Sequence, residues 1–131
     1  MRYLVSILAL CLLTTAAQAE RNKDRPRILV LVNACETETF QFIVQHSPAP
    51  EKWNTAGWFT LSPGERIAPQ KNGRDLLHRD NATLAVYAEN PSGTQGIRGD
   101  HRITYKGDTV KARFVTRFIR GKYVEFWLRC D

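Results

Sequence analysis

Over its last third the chain alternates apolar and polar residues with a period of two. Val124, Phe126, Leu128 and Cys130 interleave with Tyr123, Glu125, Trp127 and Arg129, and Val110, Ala112 and Phe114 interleave with Lys111 and Arg113. Successive side chains of a strand point to opposite faces, so the pattern demands strands with one face in a core. With Arg120-Gly121-Lys122 between the two runs, it predicts a long antiparallel hairpin of residues 109–119 and 122–130. No segment after residue 19 carries sustained helical periodicity, and no internal repeat is visible. That restricts the chain to an all-β fold.

The rest of the chain fits such a fold. Ile28 to Val32 is a continuous apolar run rich in branched residues, which predicts a strand buried on both faces or central in a sheet. Phe40, Phe42 and Val44 alternate with Gln41, Ile43 and Gln45 and predict a second strand, in a hairpin with the first. Pro48 and Pro50 predict a loop over 47–52. Trp53 to Leu61 reads as a strand that sits on the core, because tryptophans bury large apolar areas. Ser62-Pro63-Gly64-Glu65 is a turn in which Gly64 takes a positive φ, followed by a short strand at Arg66–Ala68. Residues 70–81 are polar, with Asp75–His78 forming one helical turn or an excursion at the sheet edge. Thr83–Ala88 and His101–Tyr105 read as strands, and 90–99 as a long glycine-rich loop. About seven or eight short strands at this spacing predict an antiparallel β-sandwich or barrel, one domain over 28–131.

Residues 1–19 read as a secretory signal peptide. Arg2 precedes a nearly all-apolar stretch from Leu4 to Leu13, and Ala17-Gln18-Ala19 supplies small residues where a signal peptidase reads. The stretch is well short of the roughly 20 residues that span a bilayer. Leu10 is too bulky for a lipoprotein cleavage box before Cys11. Residues 20–27 are polar and predict a flexible lead-in. The expected location is periplasmic or secreted. Cleavage removes Cys11 and leaves Cys35 and Cys130, an even pair in an oxidising compartment, for which one disulfide is expected. Zinc and redox sites need closely spaced cysteines, and the three histidines, His46, His78 and His101, lack ligand spacing. No cofactor or metal is expected.

The stretch Trp53-x4-Gly57-Trp58-Phe59-x-Leu61-x-Pro63-Gly64-Glu65 resembles the hallmark of a family of small secreted bacterial proteins, domain of unknown function 1036. Val32-Asn33-Ala34-Cys35 and Val86-Tyr87-Ala88-Glu89 are similar to two further features of that family, so the resemblance spans roughly residues 28–90. The chain departs from it at Arg66, where the family usually has a cysteine. The resemblance implies a secreted, compact, largely β domain with no assigned chemistry.

Losing the leader removes one cation, Arg2, from 19 Lys and Arg, leaving 18 against 13 Asp and Glu, a net +5 that favours anionic partners. The predicted hairpin would gather Lys111, Arg113, Arg117, Arg120, Lys122 and Arg129 with Tyr123 and Trp127 on one exterior face. Guanidinium groups suit bidentate contact with carboxylate or phosphate. The partners expected for such a face are an anionic glycan, a lipid headgroup or an envelope protein, rather than nucleic acid; the plainer alternative is a solvated strand face. A protein-interaction or inhibitor module using the 90–99 loop is a second expectation. A hydrolytic enzyme would have to use a cleft near His78, Asp80 and His101. The chain has no nucleophile elbow, phosphate-cradling glycine loop or spare cysteine, so no catalytic residue is assigned. Trp53, Trp58 and Phe59 are expected in the core rather than in a ligand pocket.

Overall fold

The computed structural model describes residues 24–130; the leader expected over 1–19 lies outside the described residues. All regular structure among them is β. Numbered in chain order, β1 (Pro26–Asn33), β4 (Arg66–Ile67), β7 (Leu77–Arg79), β12 (Phe118–Arg120) and β13 (Tyr123–Leu128) make one sheet, in the order β12-β13-β1-β4 with β7 also on β1. The second sheet contains β2 (Phe40–Ala49), β3 (Lys52–Leu61), β8 (Leu84–Glu89), β9 (Gly96–Ile97), β10 (His101–Tyr105) and β11 (Asp108–Val115), in the order β10-β11-β8-β2-β3 with β9 on β8. A small hairpin, β5 (Gln70–Lys71) and β6 (Arg74–Asp75), stands apart. It turns at Asn72-Gly73, both at positive φ (55 and 74°), as a two-residue hairpin loop demands.

The apolar run at Ile28–Val32 is central, as its composition predicts. β1 has β13 on one flank and β4 and β7 on the other. Leu29 and Leu31 face the second sheet and join Val124, Phe126 and Leu128 of β13 with Phe40, Phe42, Val44, Leu84 and Val86 in the main core. Each such side chain contributes roughly 1.5–3 kcal/mol when fully buried. This core makes the domain a two-layer sandwich. The second sheet also curls around a smaller cluster on its other face. There Ile43, Ala85, Tyr87, Ile103 and Ala112 pack with Trp58, whose Nε1 donates to Asp108 at 3.1 Å.

Several expected pairings are replaced. β1 and β2 form no hairpin, because Asn33 is buried and its side chain directs the chain across to the other sheet. Its amide donates to the carbonyls of Glu38 (2.8 Å) and Leu61 (3.1 Å), while its oxygen accepts from the Cys35 N–H (3.1 Å). β1 instead pairs in parallel with β13, Ile28 opposite Tyr123 through Asn33 opposite Leu128; this is the one parallel ladder among the described residues. The long hairpin of 109–119 with 122–130 does not form either. β11 pairs with β10 and β8, the chain breaks at Thr116-Arg117, and only Phe118–Arg120 turns back onto Tyr123–Glu125. A strand that switches sheets at a corner keeps both sheets covered, and the Arg117 guanidinium holds the corner by donating to the Asp80 carbonyl.

Smaller differences follow the same logic. β2 runs through Pro48 to Ala49, a place proline tolerates because β2 there pairs only through Ala49 and Lys52 beyond a register shift. Residues 77–79 form β7, not a helical turn. The lead-in ends sooner than expected, since Pro26 and Arg27 pair with β7 and Arg27 grips Asp80. Trp53 is 44% exposed and lies outside the core, at the far end of β3, whereas Trp58 and Phe59 are half-buried. Gly64 has φ 75°, as its turn requires. Cys35 and Cys130 are joined, Cα–Cα 5.1 Å, just beyond the point where Ala34 N–H donates to the Leu128 carbonyl. The disulfide thus extends the β1–β13 ladder and ties the first strand to the last.

Candidate functional site

The eight residues expected on one basic face are distributed over four places. Lys111 is exposed in the second sheet, opposite Arg102. Arg117 is half-buried at the corner and committed to Asp80. Arg120, Lys122 and Tyr123 stay on the outer face of the first sheet, with the Lys122 ammonium 5.3 Å from the Tyr123 ring. Trp127 also lies there, beside Glu125, while Arg113 and Arg129 come together elsewhere, at the mouth between the sheets, where the structure adds Arg98.

That mouth is a cleft of about 410 Å³, bounded by Gln95–Arg98 on one side and Leu128–Cys130 on the other, with Phe40 and Ile97 at its base. The 90–99 segment forms its rim, and Asn90 keeps it in shape. The Asn90 side chain accepts from Gln95 N–H and donates to Thr94 Oγ1, both at 3.1 Å, while its backbone N–H donates to the Gln95 carbonyl. An asparagine that bonds its own loop in this way replaces a regular turn. Gly96 is required where β9 meets β8, since a Cβ there would overlap the Ala88 carbonyl oxygen.

Arg98, Arg113 and Arg129 line the cleft. Arg98 Nη2 donates to the Gly93 carbonyl at 2.9 Å, Arg113 Nε donates to the Arg98 carbonyl at 2.9 Å, and the Arg129 guanidinium lies 5.2 Å from the Trp127 ring centre. A guanidinium carries five donors, so these contacts orient each group and leave most of its donors unused. Among the described residues no carboxylate lines the cleft, and none pairs with these three arginines. All three are exposed, as are Arg102 and Lys111, which lie outside the cleft; what sets the three apart is that they line it together. Three cations over an apolar base form a site for a group with negative charge and some apolar surface.

A second charged cluster lies on the outer face of the first sheet and was not legible as a site. Glu125 is fully buried although it occupies the outward phase of β13. Arg66 Nη2 donates to Oε2 at 2.6 Å, Trp127 Nε1 donates to Oε1 at 2.9 Å, and Arg120 approaches at 4.0 Å. The Arg66 hydrogen bond above all, with Trp127 adding to it against the cost of burial, holds the Glu125 carboxyl down to about 2. Both oxygens are used, so the cluster is structural. It fixes the indole of Trp127, on which Arg129 rests.

The histidines do not assemble. His78 is fully buried on β7, where Nδ1 accepts from Ser47 N–H (3.0 Å) and Nε2 donates to the Ala82 carbonyl (2.9 Å). His78 is thus buried although the stretch that holds it, 70–81, reads as polar. Burial is the main cause that lowers its pKa to about 4. His46 Nδ1 donates to the Leu77 carbonyl at 2.7 Å, and Asp80 is bound to Arg27. His101 lies in the other sheet, its Nε2 2.6 Å from Gln45 Oε1 and its ring 4.6 Å from that of Phe114. His78, Asp80 and His101 are thus each engaged locally, in two sheets, and do not form an acid–base constellation.

The fold and site define a disulfide-tied, two-sheet β domain with an arginine-lined cleft between its layers. No family model, curated protein or solved structure matches the chain.

Proposed function

We propose that this is an exported binding module, without catalytic chemistry of its own, that holds an anionic ligand in the cleft between its sheets. The observation that carries this is the convergence of Arg98, Arg113 and Arg129 on one cleft that has no carboxylate among its described lining residues, Asp100 sharing with Arg98 and Arg113 a neighbouring hollow instead. The three guanidinium groups are exposed and open to a ligand, and each can make bidentate contacts with carboxylate, sulfate or phosphate. The Cys35–Cys130 disulfide supports export, since disulfides persist in oxidising compartments. No helix among the described residues is long and apolar enough to cross a membrane. The secreted location that the resemblance at Trp53–Glu65 implies fits the same reading.

Retention on a sulfated or carboxylated polysaccharide matrix tests it. Arg98→Glu or Arg129→Glu should lower the eluting salt concentration much more than Lys111→Glu, which changes the net charge equally but lies outside the cleft. Equal effects from all three variants would mean that net charge, not the cleft, does the binding.

A further inference from the structure

The geometry points to β-strand addition: the cleft receives an extended acidic polypeptide segment that pairs with the open flank of β13. This deepens the anion-binding reading and rests on it.

The argument begins with backbone directions. Ile28 N–H donates to the Lys122 carbonyl and Ala34 N–H to the Leu128 carbonyl, both at 2.8 Å, so the even-numbered residues of this segment turn their backbone groups toward β1. Alternate residues of a strand present theirs to opposite flanks, so Tyr123, Glu125 and Trp127 face the β12 side. β12 pairs with Tyr123 and Glu125 through Arg120 and Phe118, and there it stops, because the chain turns away to the second sheet. The N–H and C=O of Trp127 are left aimed at a flank with no strand and have no hydrogen-bond partner among the described residues. An unpaired strand edge is a template for another chain.

That flank is hollow. A second cleft of about 370 Å³ runs along Phe126–Arg129 and is closed on its far side by Arg113–Thr116 and Phe118. It shares Ile97, Arg113, Leu128 and Arg129 with the first cleft, so the two are one groove. Phe114 and Phe118 stand 53% and 52% exposed beside it, high for phenylalanine. No described carboxylate lines either part. A sugar or headgroup satisfies the arginines but neither the strand edge nor the phenylalanines. An extended peptide with alternating acidic and apolar side chains satisfies all three.

The test uses the purified, oxidised protein and two labelled, end-blocked hexapeptides of alternating glutamate and valine. One has a normal backbone; the other is N-methylated at alternate amides, which keeps the charge and removes the ladder donors. Fluorescence anisotropy should show the methylated peptide binding about tenfold or more weakly, the loss expected for one or two backbone hydrogen bonds. Arg113→Gln and Arg129→Gln should weaken the normal peptide, and hydrogen exchange at the Trp127 amide should slow when it binds. Equal affinity for the two peptides, or an unchanged Trp127 amide, overturns strand addition while leaving anion binding intact. Binding of a sulfated glycan but of neither peptide has the same consequence. If no anion binds, the cleft reading fails as well. A dimer of this chain that buries the β13 flank and that peptide does not dissociate would also overturn the proposal.

Discussion

Acidification from pH 7.5 to 5 should destabilise the fold by about 2 kcal/mol through His78 alone. Its ring is fully buried and hydrogen-bonded on both nitrogens in the neutral form, Nδ1 accepting from Ser47 and Nε2 donating to Ala82. Burial is the largest cause of its low pKa, about 4, and the nearby charges of Arg117, His46 and Arg79 add to it. In the unfolded chain the imidazole takes up its proton near 6.5, so between 6.5 and about 4 the unfolded state holds more protons than the folded one. Stability is therefore full above 6.5 and declines as pH falls through that interval. Each pH unit within it costs about 1.4 kcal/mol, so the roughly 1.5 units down to pH 5 give about 2. The chosen endpoint stays above the interval, from 4.5 down to about 2, in which Glu125 loses its own contribution. Urea unfolding at the two pH values measures the difference. His78→Gln, which cannot titrate, should be less stable at both but lose less on acidification, the remainder coming from His46, whose pKa burial also lowers. Equal stability of the wild type at both pH values, or an undiminished difference in the variant, would refute the reasoning.

Arg66→Ala leaves the Glu125 carboxylate buried with its main partner gone; we expect a loss of about 2–3 kcal/mol, at the low end for a buried pair because Arg66 itself is 45% exposed, and a rise of the Glu125 pKa in a pH titration by NMR. An unshifted titration would show that Arg66 does not govern it. Replacing Cys35 and Cys130 by alanine should cost on the order of 4–5 kcal/mol, because the bridge spans a sequence separation of 95, and urea midpoints compared with and without reductant read the effect; equal midpoints would remove the staple from the account. Gly96→Ala forces β9 away from the Ala88 carbonyl, so it should weaken retention on the anionic matrix while costing about 1–3 kcal/mol in stability; unchanged retention would dissociate the cleft from the β8–β9 pairing.

Much of the strand content is local information. The period-two alternation at Tyr123–Leu128, the apolar run at Ile28–Val32 and the turn at Gly64 follow from side-chain direction and backbone sterics, and each is found where the residues indicate. The disulfide follows from counting cysteines once residues 1–19 are read as an export signal. Strand partners are a different matter. Hydrophobic alternation says which face is buried and not against what, so it could not separate a hairpin of β11 on β13 from two strands in different sheets. For that reason the basic face, which depends on the pairing, was composed wrongly: Lys111, Arg117, Arg120 and Lys122 do not join Arg113 and Arg129 at the mouth. Arg98 sits in a loop with no periodicity and gave no sign, although a cation among glycines next to Ile97 was available as a hint. Glu125, one acid on a strand face otherwise carrying Tyr123, Trp127 and Arg129, could have been noticed as a charge seeking a cation, but Arg66 lies 59 residues away.

What the order of residues determined by itself is an all-β chain, the phases of its strands and the covalent link between Cys35 and Cys130. Tertiary structure alone decided that the first strand lies parallel to the last, that the chain changes sheets at Thr116-Arg117, and that three arginines from separate segments meet at one cleft. The division is physical: side-chain alternation and turn geometry act over a few residues, whereas a parallel ladder and a cleft between layers exist only after loops of tens of residues have closed.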